Sequence, residues 1–179
     1  MKFRVLKNNL WFLLFLFGGI NGALAQDQGH GRVTMNGQII ASACTIAAED
    51  VYQSINLGEL PLRTLVADGQ GPLRTFNLHL IKCVLNKESE KGQWRDVLVT
   101  FDGVADGTSL FATQGEAQGV GIRIMDSHQQ VAAVGGVMNV IELEPDTTTL
   151  KYQLQLVRNN TALRAGEFYS VIKFMVHYQ

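Results

Sequence analysis

Five stretches of this chain place their larger apolar residues on alternate positions: Val33–Ile39, Thr75–Ile81, Gly121–Asp126, Leu150–Val157 and Phe168–Tyr178. A sixth, Asp96–Phe101, is a β-rich run. A period of two sends alternate side chains to opposite faces, so each stretch predicts a half-buried strand. Turn formers separate them, among them Asp102-Gly103, Asp126-Ser127 and Arg158-Asn159-Asn160. Many short strands punctuated by Gly, Asn and Asp predict an all-β sandwich. No segment reads as a long helix. Residues 47–52 fit a helical turn, a strand or a loop, and residues 103–121 read as a loop with one short strand.

The first 25 residues have a different character. Lys2, Arg4 and Lys7 precede an apolar run from Leu10 to about Ile20, and Ala23-Leu24-Ala25 follows. This is the layout of a secretory signal peptide over residues 1–25, cleaved after Ala25. The run is short for a bilayer span; a retained anchor is the alternative. Residues 26–179 then read as one domain. With three cations removed, 12 Lys and Arg face 16 Asp and Glu, a net charge of −4. An acidic chain without basic clusters argues against nucleic acid.

Cys44 and Cys83 are the only cysteines. Export to an oxidising compartment makes one disulfide the leading reading, with two buried free thiols as the alternative. His30, His79, His128 and His177 lie too far apart in sequence to suggest paired ligands, so no metal or other cofactor is expected. No Ser occupies a Gly-x-Ser-x-Gly elbow. The pairs Glu49-Asp50 and Glu142/Glu144 read as solvated. The glycines between Gly115 and Gly121 lack the strand–loop–helix setting of a phosphate cradle. The chain is not expected to be an enzyme or to take a small-molecule substrate.

Both ends of the exported chain carry further marks. Gly166 is fourteenth from the end and Tyr178 is next to last, and the stretch VTMNGQIIASAC runs around Gly37 from Val33 to Cys44. Together these resemble the subunits of chaperone–usher pili over nearly the whole exported chain. Within that family, ACTIAAEDVYQSINLGELPLRTL, GPLRTFNLHLIKC, VTFDGV and LVRNNTALRAGEFYSVIKF look similar to the P-pilus minor pilin that terminates assembly and anchors the rod.

The resemblance implies an incomplete immunoglobulin-like sandwich that lacks its last strand. A groove beside the C-terminal strand would be lined by Gly166, Phe168, Ser170, Ile172, Phe174, Val176 and Tyr178. Basic residues of a periplasmic chaperone would anchor Gln179. Residues 26–43 would form an N-terminal extension, with Val33, Met35, Gly37 and Ile39 donated to an adjacent pilin. The implied partners are that chaperone, an outer-membrane usher and the neighbouring subunit, and the implied location is the periplasm and then a fimbria at the cell surface. An ordinary rod or adaptor pilin is the alternative within the family. A self-sufficient periplasmic β-sandwich binding protein is the alternative outside it.

Overall fold

The structure is a computed structural model and describes residues 31–37, 42–87 and 92–179. The chain divides into two units, Met1–Ile39 and Ile40–Gln179. In the first, residues 31–37 are exposed and have no regular secondary structure, so the strand expected from Val33 is absent up to Gly37. Ile39 and the signal-peptide segment lie outside the described residues.

The second unit runs β1 (Thr45–Ile46), α1 (Ala48–Val51), α2 (Leu62–Asp68), β2 (Arg74–Cys83), β3 (Asp96–Gly103), β4 (Phe111–Ala112), β5 (Gln114–Gly115), β6 (Val120–Asp126), β7 (Ile141–Glu142), β8 (Asp146–Arg158), β9 (Phe168–Tyr169) and β10 (Ile172–Tyr178). Three antiparallel sheets result, ordered β1-β2-β8-β6-β4, β10-β3-β7 and β5-β9. The all-β expectation holds. Between Gly103 and Gly121 there are two short strands, β4 and β5, where one was expected.

Alternation explains the core. Leu78 and Leu80 of β2, Val97, Val99 and Phe101 of β3, Ile122 and Ile124 of β6, and Leu150, Tyr152 and Leu154 of β8 are all buried. Fully burying side chains of this size is worth about 1.5–3 kcal/mol each. Phe76, Phe101 and Tyr152 meet ring to ring, with centroids 5.0–6.0 Å apart.

A β-bulge makes the disulfide possible. Strict alternation after Leu78 and Leu80 would turn Lys82 inward and Cys83 outward. The register slips between Ile81 and Cys83, and Lys82 adopts a φ of 54°. One extra residue reverses the facing, and Cys83 turns into the core and bonds Cys44. The disulfide is the expected one.

Two short helices follow β1. Residues 48–51 resolve the ambiguity at 47–52 as a single helical turn. Helix α2 starts after Pro61 and ends at Gly69, whose φ of 72° fits the left-handed cap and whose N–H donates to the Leu65 carbonyl at 3.1 Å.

Candidate functional site

The C-terminal alternation is split between two sheets. Phe168 and Tyr169 pair with Gly115 and Gln114, whereas Ile172 to Tyr178 pair with Gly103 to Val97. The expected single strand is therefore interrupted at Ser170-Val171. There the Ser170 hydroxyl donates to the Ala112 carbonyl at 2.9 Å, and the chain changes partners. Beyond Tyr178, the Gln179 N–H donates to the Asp96 carbonyl at 2.9 Å, and the main-chain oxygen of Gln179 accepts from Arg95 (2.8 Å) and Asp96 (3.2 Å). The end of the chain is thus already tied to β3.

Strand β10 is an edge. It has β3 on one side and no strand of the described residues on the other. Its inner-face residues Ile172, Phe174, Val176 and Tyr178 are half-buried, while Lys173, Met175 and His177 are exposed. Beside this edge lies a groove of about 1330 Å³. Its floor is the inner face of the large sheet, from Phe76 and Leu78 of β2 through Leu154 and Leu156 of β8 to Ile122 and Ile124 of β6. Phe168, Ile172 and Phe174 form one wall, and residues 53–60 with Leu62 and Leu65 of α2 supply more.

The anticipated residues separate into two groups. Gly166, Phe168, Ser170, Ile172 and Phe174 line the groove. Val176 and Tyr178 do not; they pack against the core beyond it. The Tyr178 hydroxyl donates to the Cys44 carbonyl at 3.3 Å, and its ring meets Trp94 edge-on with centroids 6.2 Å apart. Burial raises the Tyr178 phenol above its ordinary value.

Residues 53–60 were not anticipated as part of the site, although Ile55, Leu57 and Leu60 hint at an apolar face. Their start is held by a carboxylate that the sequence suggests is solvated. Asp50 is 6% exposed. Its Oδ2 accepts from the His79 N–H at 2.6 Å and lies 2.8 Å from His79 Nδ1, and its Oδ1 accepts from Gln53 Nε2 at 2.9 Å. The Asp50 reading is corrected for a physical reason: two N–H donors and the His79 ring replace its water. Glu142 and Glu144 are exposed, as expected.

At its other end the groove meets a clasp between residues 114–119 and 162–169. Glu116 and Ala117 donate to the Glu167 carbonyl at 2.8 and 3.1 Å, and Gln118 and Arg164 exchange N–H bonds, both 3.1 Å. The backbones approach so closely that a side chain at Gly119 would strike Ala162 and Leu163, with 2.8 Å to the nearest atoms. Neither this clasp nor the groove carries a metal-binding cluster among the described residues.

A family model described as fimbrial protein matches residues 33–179. The chain is 38% identical to the PRS fimbrial minor pilin protein of Escherichia coli over 83% of this chain and 77% of that protein. It is 30% identical to the PRS fimbrial major pilin protein of Escherichia coli over 88% of this chain and all of that one. Among solved structures, it resembles the P pilus rod subunit PapA with a TM-score of 0.69 and 22% identity, over 77% of this chain and all of that one.

Proposed function

The chain belongs to the fimbrial protein family as a pilin of the chaperone–usher type, and on that premise we propose that it is a minor subunit incorporated by strand exchange that ends assembly at the fibre base. The family is one of structural subunits carried through the periplasm to surface pili. Among the described residues, no helix is long and apolar enough to cross a membrane.

One observation carries the strand-exchange reading: the unpaired edge of β10 stands beside an apolar groove whose wall residues Phe168, Ile172 and Phe174 are only half-buried. Each gives up roughly 1 kcal/mol relative to full burial, and an unpaired edge invites association. An incoming extended segment answers both needs. Its main chain pairs with β10, and its alternate side chains fill the groove.

A periplasmic chaperone supplies that strand first. In return, the subunit donates Val33, Met35, Gly37 and Ile39 to the adjacent pilin, and the usher exports the assembly. Gly37 suits the donor role where a groove has no depth for a side chain. Support comes from the exposure of Val33 and Met35, 84% and 88%.

The terminating role requires a subunit that donates its own strand but refuses another. Two observations support it. Identity is higher to the minor than to the major pilin, 38% against 30%. The backbone clasp beside Gly166 also narrows the room for movement at one end of the groove. A rod or adaptor role is the second reading, favoured by the open length of the groove.

The test is to mix the purified chaperone–subunit complex with peptides copying pilin N-terminal extensions. A complex that keeps its chaperone supports termination; ready displacement supports the rod or adaptor reading. A stable, soluble monomer made without any chaperone would overturn strand exchange altogether.

A further inference from the structure

We propose that Asn36-Gly37 is a site of spontaneous covalent modification, at which Asn36 loses its side-chain amide through a cyclic imide while the subunit is unassembled. Sequence and exposure together support the assignment. Beyond residue 25, this is the one Asn followed by Gly. Glycine presents no β-carbon to hinder attack by its nitrogen and leaves the backbone free to reach the required angle. Residues 31–37 are exposed and without regular structure, and a β-carbon built at Gly37 meets nothing within 4 Å.

Three other asparagines are restrained. The Asn56 side chain accepts from the Gly58 N–H at 2.7 Å, Asn139 donates to Asp126 at 3.1 Å, and Asn159 donates to Asp106 at 2.6 Å. Each of these is followed by a residue with a β-carbon: Leu57, Val140 or Asn160.

The chemistry needs only base and water. The Gly37 nitrogen gives its proton to hydroxide and attacks Cγ of Asn36. The new N–Cγ bond closes a five-membered ring, the Cγ–Nδ2 bond breaks, and the side-chain nitrogen leaves as ammonia. Water then opens the ring. Attack at Cγ leaves aspartate, whereas attack at the main-chain carbonyl leaves isoaspartate, whose backbone runs through Cγ. No electrons change hands.

The consequence rests on the donor-strand reading. In an extended segment Val33, Met35, Gly37 and Ile39 share one face, and Asn36 points away from it. Isoaspartate adds one carbon to the main chain between Met35 and Gly37. The two halves of the donor face then fall out of phase, as in a register slip. Seating in a neighbour's groove protects the site, because an extended backbone holds Cγ away from the Gly37 nitrogen. A subunit left unassembled therefore expires, whereas an assembled one does not.

The test uses the full exported chain in the complex in which it is purified from the periplasm. It is incubated at mildly alkaline pH, reduced and digested with trypsin. The peptide Val33–Arg63 carries both Asn36 and Asn56, so one fragment holds site and control. We expect progressive loss of the amide at Asn36, with isoaspartate as the main product, and retention at Asn56. Gly37→Val should abolish the loss. An amide at Asn36 that lasts as long as that of Asn56 overturns the proposal. A second arm compares fresh, aged and Asn36→Asp subunits for uptake into fibres. Loss of uptake by the isoaspartate form, with Asn36→Asp less affected, supports the timing role. Undiminished uptake of the isoaspartate form refutes the donor-strand reading and leaves the chemistry at Asn36 standing.

Discussion

A β-carbon placed on Gly166 would stand 2.6 Å from Cβ of Glu116 and 2.8 Å from the Ala117 nitrogen. Residue 166 must therefore lack a side chain if the clasp beside the groove is to close. We expect Gly166→Val to force the two backbones apart and cost about 1–3 kcal/mol, the range for overpacking. The urea midpoint of the chaperone-bound subunit measures it. A Gly166→Val variant as stable as wild type would show that the clasp can yield.

Phe174 and Met175 sit side by side on β10 but face opposite ways. Phe174 lines the groove, whereas Met175 is 55% exposed on the outer face. We expect Phe174→Ala to weaken binding of a strand-supplying chaperone by about 2 kcal/mol, below the 3–5 kcal/mol of a fully buried Phe. Met175→Ala should leave binding nearly unchanged. Titration of the chaperone against each variant decides, and equal losses would mean that the groove is not the binding face.

The Tyr152 hydroxyl is buried and has no hydrogen-bond partner among the described residues. An unmet buried hydroxyl costs about 1–3 kcal/mol. Tyr152→Phe keeps the ring packing against Phe76 and Phe101 and removes that cost, so the variant should be as stable as wild type or more so. Urea unfolding followed by the fluorescence of Trp94 reads the outcome. A clear loss of stability would reveal a partner for the hydroxyl.

Alkaline pH should unfold the domain through its buried phenols. Burial, and secondarily the Asp126 carboxylate, raises the Tyr152 phenol well above its ordinary value, and burial raises Tyr178. A raised folded value means that the fold holds the phenol proton more tightly than the unfolded chain does. The corresponding stability is fully present below about pH 10, the unfolded value, and is lost as pH climbs through the folded values above it. The urea midpoint should therefore fall in that alkaline window, and less steeply in Tyr152→Phe. An unchanged slope in the variant would exclude Tyr152 as a cause.

Particular residues mark how far the site was legible. Phe168, Ile172 and Phe174 could be placed on one strand face because alternation is local and survives into the structure as half-burial; that this face borders a groove was implied by the resemblance to pilins. Asp50 could not be assigned, because its burial depends on His79, 29 residues away in the chain. Cys83 faces inward only because β2 bulges at Lys82. Residues 53–60 entered the site through packing, with Leu60 close to Gly71, rather than through any strand pattern.

By itself, then, the sequence determined the all-β class, the alternating faces of β6, β8 and β10, and one disulfide as the leading reading of Cys44 and Cys83. These follow from side-chain period and from redox chemistry, which act within short stretches or on residue type. Only the tertiary structure decided that the C-terminal run breaks at Ser170-Val171, and it supplied the partners behind what the resemblance had implied: among the described residues β10 pairs with β3 alone, and the groove beside it is floored by β2, β8 and β6. Those outcomes depend on which distant strands win the backbone hydrogen bonds, a competition that no local pattern records.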